Sequence, residues 1–140
     1  MSATPFFFNV PWSAQVSITN AMGTTAQDLG VAVGGSTARK ITAVSVASTD
    51  TASKIATLYL FKSGGAAIIL GTKTIPAGAG TDGATPAVDM MDPVMIPGLP
   101  LDSDGERYIH LQAGDKIQLG LVAALTAAKI LACTAIGGEG

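Results

Sequence analysis

Glycine, proline, serine, threonine and aspartate break this chain about every ten residues, leaving short pieces between them. That spacing is the sequence sign of an all-β sandwich or barrel, because each piece is long enough for one strand and too short for a stable helix of several turns. The strands read from the pattern are Ala14–Asn20, Gln27–Val33, Lys40–Ala47, Lys54–Lys62, Ala67–Ile75, Arg107–Gln112, Lys116–Ala124 and Lys129–Ile136, with a ninth around Ala87–Met91. At 140 residues the chain can build one domain with a real core, and hardly two.

Two segments are especially legible. Lys54–Lys62 alternates Ile55, Thr57, Tyr59 and Phe61 with Ala56, Leu58 and Leu60. Both sets are largely apolar, which predicts a central strand covered on both faces. Ser63-Gly64-Gly65 then supplies the positive-φ positions of a tight hairpin, with Ala67–Ile75 returning antiparallel. In Lys40–Ala47, Ile41, Ala43 and Ser45 oppose Thr42, Val44 and Val46. Ile117–Ile136 is apolar over a length that could span a bilayer. Lys129 would sit well inside the membrane, however, and the alanines drive insertion weakly. A buried strand pair is the preferred reading, although Leu121–Ala132 also scores as helix.

Between Pro76 and Pro100 the pattern changes. Five of the seven prolines fall there, with glycines at 78, 80, 83 and 98. Proline lacks the donor a ladder needs, so 76–100 reads as a long surface excursion. Its apolar side chains, Met90, Met91, Val94, Met95, Ile96 and Leu99, would be costly to leave in water. Either the excursion folds back and closes one end of its own sandwich, or a partner covers it. The amino end poses the same question. Phe6, Phe7, Phe8 and Trp12 fall within the first twelve residues, where Pro5 and Pro11 favour an extended path, so residues 1–12 read as an extended aromatic arm ahead of a single sandwich over 13–140. These rings dock on their own domain, on a second copy or on another protein. Met1–Thr4 carries no positive side chain, so no secretory signal is expected.

Only 13% of residues are charged and 5% aromatic, and the net charge is −2. Low net charge with 48% hydrophobic residues is not the composition of a disordered tail. It offers no electrostatic footprint for nucleic acid or an anionic membrane, so neither is an expected partner. Reactive chemistry finds equally little support. His110 is the only histidine and no G-x-S-x-G elbow accompanies it, so an ordinary strand histidine is expected. Cys133 is alone, too few for an internal disulfide or a cysteine zinc site. Asp102, Asp104 and Glu106 resemble the opening of a calcium loop, yet the segment returns to strand too early to supply a full ligand set. The Gly-rich pieces match no phosphate-binding motif. No catalytic residue, cofactor or metal ligand is therefore predicted.

Leu111-Gln-Ala-Gly-Asp-Lys-Ile-Gln-Leu119 resembles the strand–turn–strand segment of several jelly-roll domains. More broadly, Lys40–Ile136 is similar in texture to the jelly-roll head cement (decoration) proteins of tailed bacteriophages. Ile41–Phe61, Leu70–Met91 and Pro97–Leu121 carry that likeness. The resemblance implies a jelly-roll-like antiparallel β-sandwich that is not an enzyme. It implies a virion protein that sits on the outside of an icosahedral capsid and clamps neighbouring major capsid subunits, associating with itself as a homo-dimer or homo-trimer. On that reading the partner contacts come from Phe6, Phe7, Phe8 and Trp12 of the arm and from Met90, Met91, Met95 and Ile96 of the excursion. The alternative is a carbohydrate- or receptor-binding module of a phage tail or adhesin, since jelly rolls also serve lectins.

Overall fold

The computed structural model describes residues 10–35 and 37–140, and all of its regular structure apart from a 3-10 turn at Asn20–Met22 is strand. The strands are β1 (Val10–Thr19), β2 (Gln27–Asp28), β3 (Arg39–Ser48), β4 (Lys54–Phe61), β5 (Ala67–Ile75), β6 (Val88–Asp89), β7 (Ile109–Leu111), β8 (Lys116–Leu121) and β9 (Ile130–Glu139). One antiparallel sheet runs β1-β9-β3, with β6 and β7 both on the far side of β3, and the other runs β2-β8-β4-β5. Val88–Asp89 lies opposite Ser45–Val46 and Ile109–Leu111 opposite Arg39–Ile41, so β6 and β7 are two ends of one interrupted strand. Counted as one, they complete the strand order of a jelly roll, two Greek keys folded into a sandwich.

Period-2 alternation explains which side chains meet between the sheets. Ile18 of β1, Val44 and Val46 of β3, and Leu131, Cys133 and Ala135 of β9 face Ala56 and Leu58 of β4 and Ile117, Leu119 and Leu121 of β8, all buried. Strict alternation along β3 fails at one point. A bulge between Ile41 and Ala43 reverses the parity, so Ile41 and Val44 both point inward and the Thr42 hydroxyl donates to the Ile136 carbonyl at 3.2 Å. Gly137 makes the bulge sterically feasible, because a Cβ there would overlap the Lys40 carbonyl oxygen.

Two further expectations are corrected, and the preference for a strand pair over Ile117–Ile136 holds. β4 is central, yet its outer face is covered only at Thr57: Ile55 is exposed and Tyr59 and Phe61 are half-buried. The strand expected over Gln27–Val33 stops at Asp28, because Gly30 adopts φ +85°. Leu29 and Val33 still bond to the Ile117 and Asp115 carbonyls, so the segment follows β8 irregularly. The apolar stretch Ile117–Ile136 is strand, loop and strand, and no described helix is long and apolar enough to cross a membrane.

Candidate partner-binding surface

Trp12 belongs to the sandwich and not to an arm. It lies in β1, whose ten residues pair without a break against Glu139–Ile130 of β9. Its ring is half-buried against the core, and the Arg39 guanidinium stacks over it 4.3 Å from the ring centroid. Arg39 is itself buried, donating from Nη1 to the Val31 carbonyl at 2.8 Å and from Nη2 to Glu139 at 3.3 Å. A Cβ at Gly30 would come within 2.8 Å of the indole. The first strand is thus riveted to its own domain by a cation–π contact, so residues 10–12 are not part of the expected arm. Phe6, Phe7 and Phe8 lie outside the described residues.

The excursion also corrects the partner list. Met90, Met91 and Ile96 are buried in the chain's own core together with Ala79 and Val88. Apolar groups next to an open sandwich end gain most by closing it, and the excursion does so. It is tied down at both limbs. Ala79 accepts from the Ser48 amide at 2.8 Å, the Met90 amide donates to Val44 at 2.8 Å, and Lys73 pairs with Asp92 at 2.6 Å. The Met95–Ile96 backbone is laid on β5 so closely that a Cβ on Gly71 would meet Ile96 Cγ1 at 2.7 Å and the Met95 oxygen at 3.0 Å.

Exposed aliphatic side chains are scattered over the sandwich, from Val10 and Val31 to Val122 and Ile136, and several lie around the excursion and β5. Met95 is the one predicted excursion residue left exposed, at 45%, beside Val94 at 80%. Ile68 and Ile69 of β5 and Leu101 are exposed as well. Sequence reasoning passed over Ile68 and Ile69, although two consecutive large side chains on a strand point to opposite faces, a signal that a hairpin tip cannot bury both. It also passed over Arg39, for which a charged residue opening an alternating strand gives no signal of burial.

The ionisable groups hold the fold together. Asp50, buried, accepts from the Ala52 amide, the Thr126 amide and the Thr126 hydroxyl, each at 2.9 Å. Burial alone would raise its pKa; these hydrogen bonds and nearby Lys54 outweigh it and pull the value down to about 2. Asp115 is likewise lowered, burial being outweighed by Lys62 and by the Ser63 and Gln112 amides. In the calcium-like turn, Asp102 is already engaged by Lys40 and by the Asp104 and Glu106 amides, so it is a turn cap. Burial pushes the Cys133 thiol up to about 12, which leaves it without thiolate at neutral pH. His110 is exposed on β7, and among the described residues no three His, Cys, Asp or Glu side chains group around a metal-sized site. No family model matches this chain, and no curated protein or solved structure matches it either.

Proposed function

We propose that this chain is a virion structural protein that binds the outside of an icosahedral capsid and stabilises it by clamping neighbouring major capsid subunits. The observation that carries the reading is the pairing of a tied-down jelly roll with exposed aliphatic groups on the β5 edge and the excursion beside it (Ile69, Val94 and Met95). Such groups anchor an interface when a partner removes them from water. The five ion pairs among the described residues, from Arg39–Glu139 to Lys116–Asp28, neutralise charge within this chain, which limits repulsion between crowded copies. Its work is adhesion rather than reaction.

A second reading, a carbohydrate-binding module, draws on Tyr59 and Phe61, which share the outer face of β4 beside Gln118 and Lys116 of β8. One experiment separates the two. Heads assembled from the major capsid protein of the parent virus, and beads bearing bacterial glycans, are each incubated with the protein and sedimented. Co-sedimentation with heads alone supports the structural reading. Retention on glycan beads alone supports the module and overturns it.

A further inference from the structure

The two sheets have four lateral edges, and three are protected. β2 is two residues long. The β6–β7 edge is interrupted by the excursion. β5 carries Lys73, is bulged opposite Leu58–Tyr59 and has the Met95–Ile96 backbone laid on Gly71. Short length, interruption, bulges, lysine and covering loops are the means by which natural sheets prevent edge pairing.

β1 has almost none of these. It is ten residues long, unbulged and without a single charged side chain: Val10-Pro-Trp-Ser-Ala-Gln-Val-Ser-Ile-Thr19. Only Pro11, near its start, withholds a donor. Among the described residues its main chain bonds to β9 alone, so the outer row of amides and carbonyls has no other protein partner. The solvent face beside this edge is uncharged too, with Ser13, Gln15 and Ser17 on β1 and Ala132, Thr134 and Ile136 on β9.

We infer that β1 pairs antiparallel with β1 of a second copy, joining two sandwiches through one continuous sheet. This deepens the self-association contained in the functional reading and rests on it for biological purpose, not for physics. A second copy is the occupant the strand itself fits. Two-fold pairing beside Gln15 sets Ser13 opposite the other copy's Ser17, and Ala14 opposite its Val16, with no like charges opposed.

The test uses the full chain alone in sedimentation velocity. The wild type is expected at twice its 14.0 kDa mass. In S13K/S17K each new lysine opposes a lysine of the other copy, and the dimer dissociation constant should rise about tenfold or more. In S13K/S17E each lysine opposes a glutamate, and dimerisation should return to within about threefold of wild type. Both substituted positions are exposed, so melts at dilutions where all three proteins are monomeric should agree within roughly 2 °C. A monomeric or trimeric wild type, a dimeric S13K/S17K, or loss of the dimer in both double variants overturns the inference. The shell is absent from this assay, so a monomer that still binds heads refutes the strand pairing only, and a dimer that ignores heads refutes the functional reading only.

Discussion

Replacing Asp50 tests whether one carboxylate holds two separate segments together. Its side chain joins the turn after β3, through Ala52, to the loop between β8 and β9, through Thr126, while its own carbonyl accepts from Gly78 of the excursion at 3.0 Å. Asp50→Ala leaves the Ala52 amide and both Thr126 donors without this acceptor, at a cost of roughly 2–4 kcal/mol. For a domain of this size that is a fall in melting temperature of roughly 6–15 °C. Asp50→Asn is nearly isosteric but turns an amide NH2 toward a donor, and should lose roughly 2 kcal/mol. The charge adds a pH signature. A carboxylate depressed to about 2 in the folded state stabilises it above the unfolded value, and that contribution is lost as pH falls from about 4 toward 2. It amounts to about 1–2 kcal/mol, discounted for the water near the turn. Urea melts of wild type and Asp50→Asn, repeated from pH 7 to pH 2.5, should show a gap that is constant down to about pH 4 and then narrows. Equal stabilities at pH 7, or a gap indifferent to pH, would refute the reasoning.

Two other substitutions probe the points where geometry overrides pattern. Trp12→Ala removes the ring that Gly30 and Arg39 both approach and should cost about 2–3 kcal/mol in a urea melt, whereas Arg39→Lys should fail to substitute because a lysine cannot supply the planar, two-pronged contact to Val31 and Glu139. Gly137→Ala forces the β3–β9 bulge open and should cost at least about 2 kcal/mol, while Gly98→Ala, where a Cβ meets nothing within 4 Å, should stay within about 0.5 kcal/mol of wild type.

The alternation of apolar residues was enough to place nearly every strand, because a half-buried strand must sort its side chains by face. β5 falls on Ala67–Ile75 as expected, β4 is shorter by one residue at its end, and β3 is longer by one residue at each end. What the pattern could not carry is where a strand departs from regularity. The bulge at Ile41–Ala43 depends on the missing Cβ of Gly137, nearly a hundred residues away, and no local signal announces it. The partner surface was less legible for a related reason. Met90, Met91, Met95 and Ile96 have similar hydropathy, and only the path of the excursion across β5 decides that Met95 faces water while the others close the core. Trp12 was drawn into an arm by its aromatic neighbours in sequence; what holds it is Arg39, a residue of another strand.

The central claim is that the protein strengthens a capsid by gripping its outer surface. Differential scanning calorimetry of empty heads, before and after saturation with the protein, measures this directly. Bound protein should raise the disruption temperature of the shell, and Val94→Asp/Met95→Asp should abolish both binding and the shift while leaving the protein's own melt unchanged. Heads that carry the wild-type protein and yet disrupt at the undecorated temperature would contradict the account.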